Sequence, residues 1–378
     1  MTRSARSIYR RPLPPILFVF ALLLVYWTAA AVIIAVDPYD LYAWGRTPHV
    51  DPEHFRRGRA RFLVSVASRD KTKEVVSLGS SPAMMYSAQA ITDALPGAPS
   101  ALNLSYQAVR PLDRHIVMSE FARYSGVKRL LVWFDWSYAL PPAAINDGFP
   151  AQMYDEDPLN DLRMVNFAAL GDAWQMLVTG GPFPERPRSS AKADREEYEQ
   201  FQTRENMEAL ARIIDVYRPD VDRPSRHDCD EFETLKTQTI PTVRALAARN
   251  VKVDFIIPAY SLMMYYPLSA RRGGDVRLLD QLLMRRCLVH AAATIGGVRV
   301  VGLDADLPLV SDLAHYRDQG HVYGEQLANR LLKRIADPAY ELTTANVDNY
   351  VERLHAAVKN YRIINSNLDR ATHVAGDQ

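Results

Sequence analysis

From Ile16 to Val36 the chain runs 21 residues, ILFVFALLLVYWTAAAVIIAV, without a charged side chain. At 1.5 Å per residue a helix of this length covers roughly 30 Å, the thickness of a bilayer core. Arg3, Arg6, Arg10 and Arg11 precede the run, and no acidic residue occurs before Asp37. That bias predicts an amino terminus held in the cytoplasm. The body is then expected on the far side of a bacterial inner membrane, in the periplasm or outside the cell, on a single-pass anchor. The small residues Thr28-Ala29-Ala30-Ala31 leave a cleaved signal peptide as the alternative. The apolar run continues past them to Val36, longer than a usual signal core, which favours an uncleaved anchor.

The other 342 or so residues read as globular, since the whole chain of 378 is 48% hydrophobic and 24% charged. Its formal net charge of +1 points to no nucleic-acid partner. Apolar runs alternate with helical patterns. Strands are expected at Glu74–Leu78, Ser100–Leu104, Arg129–Phe134, Val251–Ile257 and Val298–Leu303, with helices at Ala83–Leu95, Pro111–Tyr124 and Asp275–Ala293 between them. The fold class is therefore α/β with a doubly wound parallel sheet. The organisation read from the sequence is an anchor over 1–36, a membrane-proximal connector over 37–72, a main domain over 73–335, and a carboxyl-terminal helix and tail over 336–378. Arg56-Arg57-Gly58-Arg59-Ala60-Arg61, in the connector, reads as a solvated helix face. An insertion over 137–250 carries helical stretches near Asp161–Val178, Ala193–Tyr217 and Asp230–Arg249. It also carries the Pro- and Gly-rich run Gly180–Pro187, and it is expected to form a cap or wall over a site.

The first strand stops at Gly79-Ser80-Ser81-Pro82. Open α/β sheets place their chemistry at the carboxyl ends of the strands, so Ser81 is a candidate nucleophile, with Ser80 as its competitor. Ser81-Pro82 also matches an ordinary helix start, with Ser as N-cap and Pro at the first helical position. Late in the chain, Asp312-Leu313-Ala314-His315 offers a carboxylate three residues before an imidazole, a spacing that lets the acid orient a general base. Asp318-Gln319-Gly320-His321 repeats the spacing. His315 is the preferred base because His321 reads as the start of the helix HVYGEQLANRLLKRI.

An early Gly-x-Ser turn followed by a late Asp-x-x-His resembles the SGNH (GDSL-like) hydrolase superfamily. The Gly-Ser-Ser form and the anchor are similar to its membrane-bound branch, which includes alginate acetyltransferase-like and teichoic acid D-alanyl-transfer proteins. The resemblance spans about Lys73 to Ile335. It implies a three-layer, flavodoxin-like sheet and an acyl-serine mechanism with Ser81, Asp312 and His315. It further implies a serine esterase or O-acyltransferase that works on an envelope or exported polysaccharide, beside a membrane-bound acyl donor or synthase. A catalytically inactive scaffold that binds polysaccharide or such a partner is the rival. Where the superfamily uses a Gly and an Asn to build its oxyanion hole, this chain has Asn103-Leu104-Ser105 after the second strand and Asp135 after the third. Asn103 and the amides of Ser81 and Ser105 are then the available donors. Asp135 is expected to bind a sugar hydroxyl or pair with Arg110, and Tyr260, after the fourth strand, to line the pocket.

No HExxH, Walker loop, GxGxxG after a strand or GxSxG occurs, so zincins, P-loop enzymes, Rossmann dehydrogenases and ordinary α/β-hydrolases are excluded. Neither a metal nor a cofactor is expected. His227-Asp228-Cys229 reads as loop. Cys229 and Cys287 lack CxxC spacing, and the sequence leaves open whether they pair.

Overall fold

The computed structural model describes residues 15–37, 73–95, 97, 100–106, 109–124, 126–139, 149, 151, 166–179, 191–225, 227–266 and 277–367. The arginines before the anchor, the connector after Asp37, the 56–61 cluster, the 180–187 run and the last residues of the tail lie outside these.

The apolar run forms helix α1 (Pro15–Val36), one helix long and apolar enough to cross a membrane. The globular part begins with β1 (Val75–Leu78), buried along its whole length. A 3-10 turn, Ser81–Ala83, follows, and the expected long helix starts only at α2 (Ala88–Ala94). Its start is set by Ser87, whose side chain accepts the Ala90 amide. Next come β2 (Ala101–Asn103), α3 (Pro111–Tyr124) and β3 (Arg129–Trp133). Three helices of the insertion are α4 (Phe167–Thr179), α5 (Ala191–Phe201) and α6 (Arg204–Tyr217). The last two split a stretch that reads as one helix, because Thr203 accepts the Asn206 amide and starts a new helix. A π-helical stretch, Thr234–Thr239, runs into α7 (Ile240–Ala248), and β4 (Lys252–Ile257) and α8 (Leu278–Ala292) complete the next repeat. After β5 (Val298–Gly302) come α9 (Leu307–Ser311), α10 (Glu325–Arg334), the two-residue β6 (Glu341–Leu342) and α11 (Val347–Lys359).

The chain divides into two compact units. One combines Met1–Val50 with Asp155–Glu185, so part of the insertion groups with the amino-terminal helix, and α4 lies against α1. The other comprises Asp51–Tyr154 and Arg186–Gln378.

The second unit is built on a six-stranded sheet of order β2-β1-β3-β4-β5-β6. Its first five strands are parallel, and only β6 runs antiparallel, against β5. Leu130, Leu131, Val132, Val253, Phe255, Ile256, Val300 and Val301 are all buried, as expected of strands covered on both faces. The chain enters at β1, winds to β2 on one side and then returns to β3 on the other. This reversal makes the carboxyl ends of β1 and β3 the topological switch point of the sheet, where open α/β sheets hold their ligands. Cys229 and Cys287 form a disulfide that ties the insertion to α8.

Candidate active site at the carboxyl ends of the strands

Gly79 makes the turn after β1 possible. A Cβ there would lie 2.5 Å from the Ala83 Cβ and 2.8 Å from the Trp133 Cβ, well inside contact distance. Trp133 is itself fixed: its indole N–H donates to Ser77 Oγ at 2.9 Å and its ring stacks on Tyr86 at 4.8 Å. The close approach of β3 to the turn therefore leaves room only for glycine.

Beyond Gly79, the two serines separate in role. Ser80 is the residue before the 3-10 turn, yet its hydroxyl caps nothing there; it donates to Asp135 Oδ2 at 2.6 Å. Ser81 is the first residue of the turn, followed by Pro82. It is partly exposed, and its hydroxyl enters no hydrogen bond among the described residues. The turn is thus capped by neither serine's side chain.

Asp135 is buried and pairs with the equally buried Arg114, not with Arg110. Its other oxygen accepts the amide of Ser137, at 3.0 Å, and the Ser137 hydroxyl. Arg114 also donates to the Trp133 carbonyl at 2.8 Å and lies 5.1 Å from the centre of the Tyr138 ring. Burial works against the Arg114 charge, but the Asp135 carboxylate more than offsets it and holds the guanidinium protonated. Asp135 therefore carries a neutralised charge. It braces the β1 and β3 loops through Ser80 and Ser137.

Asn103, placed among the oxyanion donors by the sequence, spends its amide hydrogens on the carbonyls of Ala83, at 2.9 Å, and Tyr86, at 2.6 Å. Its side-chain oxygen takes the Ser105 amide at 3.0 Å. Both groups brace the turn after β1 and are not open to a substrate. The Ser105 hydroxyl is buried without a hydrogen-bond partner among the described residues. Tyr260 is buried; burial and the nearby Asp135 carboxylate push its phenol well above the usual range, with Arg114 opposing.

The loops after β4 and β5 are laced together at the same sheet edge. Ser261 Oγ donates to the Gln319 carbonyl at 2.6 Å, and the Tyr316 hydroxyl donates to the Ala259 carbonyl at 2.9 Å. On this loop the Asp-x-x-His pairing occurs once, at the second position. Asp312 caps the turn that follows it, accepting the Ala314 amide at 2.9 Å and the Ser366 amide at 3.3 Å. The His315 ring has no hydrogen-bond partner among the described residues. Asp318, by contrast, sits 2.7 Å from His321 Nδ1 and also accepts the amides of Gly320, at 2.7 Å, and His321, at 2.9 Å. Burial raises the Asp318 pKa, but His321, the Gly320 amide and Arg317 together bring it below the usual carboxylate range. His321 does not begin a helix. Gly324, at φ +89, precedes α10 and leaves His321 on the loop. The Nε2 atom of His321 is buried and has no hydrogen-bond partner among the described residues.

The insertion does reach this loop. Tyr198, on α5, stacks on Tyr323 at 3.9 Å and donates to the Ala314 carbonyl at 3.2 Å. Gln202, just beyond α5, donates to the carbonyls of Leu313, at 2.9 Å, and Tyr316, at 2.8 Å. Sequence reasoning missed Arg114, Ser137, Tyr198 and Gln202. Ser137 acts on Asp135 two residues before it, the other three act on residues far along the chain, and none sits in a motif.

Among the described residues no cluster of His, Cys, Asp or Glu is arranged to hold a metal ion. No protein-family model matches the chain, and no curated protein matches it either.

Proposed function

We propose that the chain is a membrane-anchored, SGNH-like serine esterase or O-acyltransferase, with Ser81 as nucleophile, His321 as general base and Asp318 as the group that orients it. The observation that carries this reading is the Asp318–His321 pair, whose buried Nε2 is uncommitted. An ionised carboxylate only accepts hydrogen bonds, so Asp318 puts the imidazole proton on Nδ1 and leaves the lone pair on Nε2.

The steps follow from that tautomer. Ser81 Oγ bonds to the ester carbonyl carbon as its proton passes to Nε2. Collapse breaks the ester C–O bond, and the leaving alcohol takes that proton, giving acyl-Ser81. Water or a glycan hydroxyl then attacks in the same way, releasing an acid or a new ester and restoring Ser81. The Ser81 amide and the Ser105 hydroxyl, neither of which donates a hydrogen bond among the described residues, serve as donors to the oxyanion. Ser80 is the poorer nucleophile because its proton is held by an ion-paired carboxylate.

The substrate we propose is an acylated envelope or exported polysaccharide. The anchor favours it by proximity, and the resemblance to the membrane-bound branch favours it by kind. A periplasmic body on a bacterial inner membrane is supported by the arginines before α1 and by the Cys229–Cys287 disulfide, a bond suited to an oxidising compartment. Hydrolysis of an aryl acetate by the full chain in detergent, abolished in a folded Ser81→Ala variant, is the test. Unchanged turnover in that variant overturns the mechanism. A second reading, an inactive scaffold, is favoured by the engaged state of Asn103 and the Ser105 amide. It predicts no turnover in the parent chain.

A further inference from the structure

Helix α4 is almost uncharged: of FAALGDAWQMLVT only Asp172 is ionisable, and it is buried. At 100° per residue, Ala169, Asp172 and Ala173 fall on one side of the helix, and all three are buried. Phe167, Trp174, Leu177 and Val178 fall on the other and are 94%, 66%, 56% and 66% exposed. Isolated exposed apolar residues are ordinary, but four large ones on one face of a 13-residue helix form a contiguous patch that needs a cover. The position of α4 says what the cover is. It lies against α1, whose own large apolar residues from Ile16 to Trp27 are open, with Ala30 and Ile33 buried in the carboxyl-terminal half. At 1.5 Å per residue α4 covers about 20 Å, short of the roughly 30 Å of a bilayer core, so it cannot cross.

We infer that α4 is a second membrane-contact element: a lipid-facing helix that lies in the bilayer surface beside the exit of α1, with Phe167, Trp174, Leu177 and Val178 among the acyl chains. The lipid that surrounds the open face of α1 continues over the open face of α4. A tryptophan at the headgroup boundary fits an interfacial helix. The inference rests on α1 being a bilayer anchor, and it gives α4, within the insertion, a contact with lipid.

The test is photolabelling. The full chain is placed in phosphatidylcholine nanodiscs that contain a lipid with a diazirine in its acyl chain, and adducts are mapped by peptide mass spectrometry. Adducts are expected on α1 and on 167–178, with none on α6, whose apolar face, Met207, Leu210 and Ile214, is already buried. Labelled α1 with unlabelled α4 overturns the inference, and crosslinks between copies through α4 would then assign the face to a second molecule. Silence on both helices overturns the anchor reading itself, and the inference falls with it.

Discussion

The Nδ1 atom of His321 lies 2.7 Å from Asp318 Oδ2, while the earlier acid of the same spacing, Asp312, spends its carboxylate on the amides of Ala314 and Ser366. Two identical sequence patterns six residues apart thus have different structural duties. One caps a turn, and the other builds an oriented imidazole.

His321→Ala should lower ester turnover by about 10²–10⁴-fold, the usual contribution of a general base, with Ser81 intact. His315→Ala should leave it within a few-fold. Steady-state rates for both variants on one aryl ester decide between the histidines. Equal losses would mean that the hydrogen-bonded pair is not the base.

Asp318 also marks the pH response of stability. Its pKa is lowered in the folded chain, so its contribution is present above the ordinary aspartate pKa of about 4 and is lost as pH falls through the lower folded value. The stability gap between the parent and Asp318→Asn, measured by denaturant unfolding in detergent, should be largest near neutrality and should close below about pH 4. A gap that widens on acidification would contradict the assignment.

Removing one partner of the Arg114–Asp135 pair strands the other as a buried charge. Arg114→Met should therefore destabilise by about 3–5 kcal/mol. Arg114→Met with Asp135→Asn should recover part of that loss. A double variant no better than the single would show that the pair acts through something other than charge.

Loss of the Cys229–Cys287 bond, which closes a separation of 58 residues, should cost about 4 kcal/mol by the chain-entropy relation. Cys229→Ser with Cys287→Ser should lower the unfolding free energy by that amount, read as a lower denaturant midpoint at unchanged slope. Reductant should shift the parent but not the double variant.

Much of the sheet was legible because buried parallel strands are apolar on both faces, as Leu130–Val132 and Phe255–Ile257 are. The edge strand β6 was not, since Glu341 and Leu342 are too short a run to show alternation. His321 was misread for a local reason: the apolar pattern of α10 extends backward through Val322, and the signal that breaks it is Gly324. Arg114 carries no motif that singles it out in the sequence, yet it is among the most buried side chains. Its partner, Asp135, lies 21 residues away on another element, where helix periodicity carries no information. The Ser81 turn was legible as a turn, but the division of labour between Ser80 and Ser81 depends on Asp135 and so required the fold.

The most direct measurement is covalent capture of the nucleophile. The full chain is treated with a fluorophosphonate, and the adduct is mapped by peptide mass spectrometry in the parent and in His321→Ala. A single adduct on Ser81, lost or greatly slowed without His321, is the expected result. No adduct in the folded parent, or an adduct on Ser80, would contradict the proposed chemistry.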